Sequence, residues 1–382
     1  MITRILTRRA GYNYGSSLQA WAMQQLAEGF AIENELVDYD EYTWRGHLRL
    51  WLLRVAGWLS VHCALFDRMS RRWGFCWGDS HRHRQAFDRF DERRLKKSDR
   101  RYRSLRALRR AARHWPAAIC GSDQIWNPES FNAAFFLGFM PDEALKIAYA
   151  PSFGTERIEP RAAAVIRPLI DRFELLSVRE AAGARIIREL CGRRVPVVPD
   201  PTLLLTRHQW DRIAEPPALR SPYILCYFLP STELPTAFVE RLRAVHPTWE
   251  VINLPDNRFR FRMAGAAQPG VVSPEQFVGY LSQAQCVVTN SFHACVFSIL
   301  YERPFYVAPR RAARYSCQFS RIRTLLDRLG LRGREIGSDG TGRPAAAPVD
   351  WPAVRQQLER YRAEGFACWA RIGEALREKA RR

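Results

Sequence analysis

Lysine is nearly missing from this 382-residue chain: only Lys96, Lys97, Lys146 and Lys379 stand among 59 basic residues. Arginine supplies the rest, a bias that a GC-rich genome produces. Codon usage does not explain why basic residues outnumber the 39 acidic ones by 20. A surplus of that size implies anionic company: nucleic acid, an acidic membrane surface or phosphorylated substrates. Paired cysteine motifs are absent too. The nine cysteines are odd in number, form no Cys-x-x-Cys and sit partly in apolar runs, which fits a reducing cytosol rather than a disulfide scaffold. The N-terminus has no signal-peptide core, because Arg4, Arg8 and Arg9 interrupt it. The most membrane-like stretch, 48–66, carries Arg49, Arg54 and His62; lying on a membrane surface suits it better than spanning. A cytoplasmic protein is expected, with peripheral contact to an anionic inner membrane face. No internal repeat or nucleic-acid motif is visible, so no nucleic-acid partner is expected. At 47% apolar and 26% charged the chain reads as globular, and its length calls for two domains.

Short apolar runs alternate with amphipathic ones. Strands are predicted over 2–6, 35–39, 117–120, 146–149, 174–178 and 195–198, and helices over 16–28, 161–171 and 180–190. After a Pro-rich linker at 215–222 the alternation restarts, with strands over 223–229, 250–254, 286–289 and 305–308 and helices over 233–245 and 294–301. Ser273-Pro274-Glu275-Gln276 is a well-formed helix start: a Ser cap, Pro in the first turn and Gln reaching back. Residues 337–348 read as flexible, and a pair of helices is expected over 351–381. Apolar strands joined by helices imply parallel sheets covered on both faces. The expected fold is therefore α/β: two doubly wound domains, 1–214 and 215–345, facing one cleft, with terminal helices at 346–382. The first domain carries an insertion at 42–113, rich in Trp and Arg, which the spacing of Phe87, Phe90 and Leu95 marks as helical. Residues 45–115 hold twenty basic against six acidic side chains, a net of +14.

In open α/β sheets ligands bind beyond the carboxyl ends of the strands, so the candidate site lies in the loops there. Asn13-Tyr14-Gly15-Ser16-Ser17 leaves a strand and opens a helix. Gly15 permits close backbone approach, Ser caps, and the helix N-terminus can hold an anion; a plain capped turn would look the same. Ser122, Asp123, Gln124 and Trp126 crowd one post-strand loop, which suits a polyhydroxylated ligand or an Asx-turn network. Ser152 follows another strand. Asp200-Pro201-Thr202 could offer a carboxylate to a sugar hydroxyl or cap a turn. Asn290-Ser291-Phe292-His293 is the sharpest signal: a histidine at a helix N-terminus can take its proton as an anionic substrate arrives, which suits a general acid. Arg179, Arg310, Arg311, Arg314 and Arg321 also follow strands, and their planar forks match phosphate or carboxylate. His81-x-His83 is a weak metal pattern that reads as solvated face, so no metal site is expected.

At these residues the chain resembles the polysaccharide pyruvyl transferase family. The matching stretches are NYGSSLQAWAMQQL from Asn13, CGSDQIWNP from Cys120, KIAYAPSFG from Lys146, SVRE from Ser177, PDPTLLL from Pro199, PEQFVGYLSQAQCVVTNSFHACVFSI from Pro274 and SRIRTLLDRLGL from Ser320. The resemblance implies two Rossmann-like domains in the GT-B arrangement, with the last helices packing back on the first. It implies transfer of a pyruvyl group from phosphoenolpyruvate, with no other cofactor, to a sugar of a cell-surface polysaccharide or its lipid-linked precursor. The family's histidine falls on His293 and its first-domain arginine on Arg179. The family's pattern also places an arginine two residues before the histidine. Here Ser291 stands there, so Arg310, Arg314 or Arg321 would have to supply the charge. Ala294 likewise replaces a common Gly. Asn13, Ser16, Asp123 and Gln124 would line the acceptor side.

Two other readings start from the same residues. A glycosyltransferase of the same architecture would take a nucleotide-sugar donor. A basic protein without catalysis would bind anions or membrane through the insertion, where Trp44, Trp51, Leu52, Val55, Trp58 and Leu59 could enter a bilayer. A membrane-surface role is compatible with either enzyme.

Overall fold

The computed structural model describes all residues except 10, 42–43, 73–76, 232–233, 257–262, 311–318, 338–347 and 382. Among them nine strands form two wholly parallel sheets. Strands β1 (Thr3–Leu6), β2 (Asn34–Leu36), β3 (Ala117–Cys120), β4 (Leu145–Ala148) and β5 (Leu175–Leu176) lie in the order β2-β1-β3-β4-β5. Strands β6 (Tyr223–Tyr227), β7 (Glu250–Asn253), β8 (Cys286–Thr289) and β9 (Phe305–Val307) lie in the order β7-β6-β8-β9. Register is set by matched apolar residues: Ile5 faces Ile119, Ile119 faces Ile147, and Leu225 faces Val287. Every residue of β3, β6 and β8 is buried, as central parallel strands covered on both faces must be.

In the first half the helices are α1 (Tyr14–Gly29), α2 (Trp44–His62), α3 (Ala64–Arg72), α4 (Trp77–Arg94), α5 (Leu105–Ala111), α6 (Pro160–Ile170), α7 (Ala181–Cys191), α8 (Pro201–Leu204) and α9 (Arg207–Asp211). The second half adds α10 (Thr236–Val245), α11 (Pro274–Gln283), α12 (Phe292–Leu300), α13 (Ser320–Arg328) and α14 (Trp351–Arg381). One apolar cluster joins Ile119 and Ile147 of the first sheet to Leu225 and Val287 of the second. Helix α1 runs through this shared core with 13 of its residues buried. Its Tyr14 stacks on Phe277 at 4.4 Å and hydrogen-bonds the Pro255 carbonyl at 3.2 Å, so the helix that opens the first half is packed against the second.

The capping box at Ser273 and Gln276 forms as the sequence predicts. Several expectations need correction. Helix α1 begins at Tyr14, two residues early, because the Asn13 carboxamide rather than a serine caps it, accepting from the Ser16 N–H at 3.2 Å. Helix α12 likewise starts at Phe292, capped by Ser291. The segment over 195–198 contributes only a bridge between Val178 and Val197. The expected terminal pair of helices is one 31-residue helix, α14. Gly365 breaks nothing there; a Cβ on it would press on Leu204 and Pro199 at 2.8 Å, so it lets α14 approach the first half. There Trp369 packs 5.1 Å from Tyr149. His83 is buried against Phe87 and Tyr14 rather than solvated. Most of the segment expected to be flexible, 338–347, lies outside the described residues, as do Arg311 and Arg314.

Candidate active site

A cavity of about 390 Å³ opens between the carboxyl ends of the two sheets. Loops after six different strands meet there. Arg8 follows β1, Asp123 and Gln124 follow β3, Pro230 follows β6, Asp256 follows β7, Ser291 to His293 follow β8, and Arg310 follows β9. Arg321 enters from the first turn of α13, which packs against α7.

Behind this cavity lies a buried charge network. Arg179, only 2% exposed, donates from Nη1 to Oδ2 of Asp200 at 2.6 Å, while its Nη2 is 3.6 Å from Oδ1 of Asp123. Its guanidinium lies 4.5 Å from the Phe292 ring centre. Asp200 is fully buried and also accepts from Ser122 Oγ at 3.0 Å and from the Thr202 N–H and hydroxyl at 3.0 and 2.6 Å. The Nε2 of His293 comes within 3.7 Å of the same Asp200 oxygen. Asp123 accepts from the Ser16 hydroxyl at 2.6 Å. Burial alone would raise both aspartates. For Asp123 the charges of Arg179, His293 and Arg321 and the Ser16 hydrogen bond outweigh it and hold the carboxyl at about 2. For Asp200 the His293 ring and Arg179 hold the carboxyl well below the usual range. Both are carboxylates at neutral pH.

Arg321 is different. Burial and the neighbouring Arg179 pull it down to about 9, so at neutral pH it is a cation with too little counter-charge. With the Gln124 amide oxygen turned toward it, Nη1 donates at 2.9 Å and Nη2 at 3.3 Å, but an amide carries no net charge. Arg310 is anchored by the Pro230 carbonyl, at 3.0 Å from Nη2 and 3.3 Å from Nε. A buried cation short of negative charge on a cavity wall favours an anionic ligand.

Two glycines fit this site by necessity. A Cβ on Gly15 would fall on the imidazole of His293, so α1 can lie against the ring only where a side chain is missing. Gly121 has φ +136° and a Cβ there would strike the Tyr149 carbonyl, which lets the loop carrying Asp123 turn sharply out of β3. Gly15→Ala should therefore displace the His293 ring and lower turnover roughly 10²-fold, the scale of an ångström of misplacement. Steady-state kinetics with a melting curve check this: unchanged turnover would mean that the ring's position does not matter.

Of the residues singled out from sequence, Asn13, Ser16, Asp123, Gln124, Ser291, Phe292, His293, Arg310 and Arg321 line the cavity. Tyr14, Gly15, Ser122, Trp126, Ser152, Arg179, Asp200 and Asn290 are not among its lining residues. Arg179, to which the resemblance gives a donor contact, does not line the cavity, and its ion pairs run to the two aspartates. Asp200 has no oxygen free for a sugar hydroxyl. Ser16 serves Asp123 rather than the helix cap. Trp126 donates to the Phe135 carbonyl at 3.0 Å, Ser152 donates to Glu180 at 3.0 Å, and Asn290 clasps the backbone of Leu229. The sequence reading missed Arg8, Glu129, Ser130 and Asp256 as lining residues. Arg8 and Asp256 each follow a strand closely, the same signal that marked the others. Among the described residues no group of three or more His, Cys, Asp or Glu side chains could hold a metal ion.

The family model for polysaccharide pyruvyl transferase matches residues 13–309. The chain belongs to that family. This pyruvyl transferase family member has no significant match among curated proteins. Its fold is shared with solved enzymes at low identity. The Methanocaldococcus jannaschii UDP-GlcNAc 2-epimerase, solved with UDP-GlcNAc and UDP, superposes with a TM-score of 0.51 at 11% identity over 99% of both chains. The Neisseria meningitidis UDP-GlcNAc 2-epimerase gives 0.49 at 9% identity over 99% of each chain. The glycotransferase of kitacinnamycin gives 0.48 at 13% over 99% of this chain and 98% of the other. The pyruvyl transferase fold here is α/β, with two Rossmann-like halves in a GT-B-like arrangement around a cleft.

Proposed function

We propose that the protein transfers the pyruvyl group of phosphoenolpyruvate to a pair of hydroxyls on a sugar of a cell-surface polysaccharide or its lipid-linked precursor, forming a cyclic ketal. The observation that carries this reading is one cavity with Arg310 and under-compensated Arg321 on its wall, His293 at a helix start and the Asp123 carboxylate. The donor carries both a phosphate and a carboxylate, and the two arginines suit them. They also stand in for the arginine that Ser291 replaces. His293 protonates the enol methylene, which leaves positive charge at C2. A sugar hydroxyl attacks C2 and passes its proton to Asp123, a carboxylate at neutral pH, from which it returns to His293 to replace the proton delivered to the methylene. The bond from C2 to the phosphate oxygen then breaks, and the second hydroxyl closes the ketal, its proton leaving with the inorganic phosphate. Arg179 and Asp200 act from behind, holding Asp123 and facing His293.

The test is thermal melting of wild type and Arg321→Ala with phosphoenolpyruvate, phosphate, UDP-sugars and buffer alone. A shift with phosphoenolpyruvate larger than that with phosphate, and lost in Arg321→Ala, is expected. A selective shift with a UDP-sugar would instead favour a nucleotide-sugar glycosyltransferase on the same fold. A shift by phosphate alone would leave anion binding without a donor.

A further inference from the structure

The insertion presents an apolar surface that no other described residue covers. On α2, Trp51, Val55 and Trp58 recur at i, i+4 and i+7, with Leu52 beside them; on α3, Leu65 and Met69 repeat the spacing. All six are between 38% and 65% exposed. Side chains so spaced share one helix face, and the opposite face of α2 is occupied by its packing on α4. Single exposed apolar residues are ordinary, but a run of them with two tryptophans marks a contact surface.

Charge identifies the occupant. Residues 44–72 contain six arginines and a single acid, Asp67. Arg54 and Arg68 are exposed, and their positions in the helical turn put them at the flanks of the apolar stripe. Two copies meeting through this face would bring like charges together, whereas a negatively charged bilayer would be attracted by them. Among the described residues no helix is long and apolar enough to cross a membrane. Tryptophan and leucine facing outward with arginines at the edge are the composition of a helix that lies in the interface plane.

We infer that α2 and α3 dock the protein on an anionic lipid bilayer. Helix α4 forms the layer beneath. Its Phe87 packs 5.1 Å from Tyr14 and its Arg94 lies 3.6 Å from Glu275, so the docking surface is braced on the first turn of α1, whose cap Asn13 lines the cavity. Docking of this kind would hold the cleft near a lipid-linked acceptor, but it does not depend on the proposed transfer reaction and is tested without it.

The test is flotation of the full chain with vesicles of phosphatidylcholine alone or mixed with phosphatidylglycerol in roughly equal parts. Wild type should float with the anionic vesicles and much less with phosphatidylcholine. Trp51→Ser with Trp58→Ser should lower binding about tenfold or more, since two large aromatic side chains no longer enter the bilayer. Arg54→Ser with Arg68→Ser should lower binding to anionic vesicles severalfold and leave the weak binding to phosphatidylcholine unchanged. These side chains are exposed, so circular dichroism of both variants should match wild type. Wild type that stays at the bottom with anionic vesicles, or a tryptophan variant that floats equally, would overturn the proposal. So would a wild-type dimer that the tryptophan substitutions split, since that would give the surface to a second copy.

Discussion

His293→Gln should lower turnover by roughly 10²–10⁴-fold, the usual contribution of a positioned general acid, and leave the melting shift by phosphoenolpyruvate nearly intact. Glutamine keeps a polar group of similar reach but cannot deliver a proton. The separation of the two effects follows from the geometry. The groups suited to hold the donor's charges, Arg310 and Arg321, are anchored by Pro230 and Gln124 and not by the imidazole, so binding survives loss of the ring. The imidazole faces Asp200 at 3.7 Å and lies over Gly15, so its orientation is set by groups that remain. Phosphate release during single turnover measures the chemical step directly. Turnover within a few-fold of wild type would remove His293 as the acid.

The parallel sheets could be read in the sequence because each central strand is a short apolar run followed by a helix start. Cys286–Thr289 and Ala117–Cys120 were bounded to the residue, since burial on both faces leaves no polar positions to blur their ends. Boundaries failed where side chains act at a distance. Asn13, not a serine, caps α1, because Ser16 is drawn away by Asp123, more than a hundred residues along the chain. Residues 351–381, expected as a pair of helices, form the single helix α14; mid-helix glycine usually costs stability, and the contact of Gly365 with Leu204 and Pro199 that compensates it is tertiary. The same limit governed the site. Position after a strand singles out His293, Asp123 and Arg321, and all three line the cavity. It could not tell which post-strand residues face the cavity and which do not. Arg179 and Arg321 look alike in sequence, yet the charge of one is compensated by two buried aspartates and that of the other is not.

That charge compensation gives the largest expected effect on stability. Asp200→Ala should destabilise the fold by about 3–5 kcal/mol, the scale for breaking a buried ion pair by removing one partner. Arg179 would keep only the 3.6 Å approach to Asp123, and Ser122 and Thr202 would lose their shared acceptor. The double variant Asp200→Leu with Arg179→Met should lose less than the sum of the single losses, because no lone buried charge is left. The network also sets a direction for acid sensitivity. The folded pKa values of Asp123 and Asp200 lie below the ordinary 3.8, so at intermediate pH the unfolded chain binds more protons than the native one. Their contribution is complete above the unfolded value and is lost as pH falls through the folded values. For Asp123, moving from 3.8 to about 2 corresponds to about 2 kcal/mol. Buried Glu180, raised above its ordinary value, works in the opposite sense: its contribution is present below its unfolded value and fades as pH rises. Urea melts between pH 5 and pH 2, both about the range where these carboxyls titrate, should show wild-type stability falling more steeply than that of Asp123→Asn. Equal slopes would mean that Asp123 is not the carboxylate this network holds ionised.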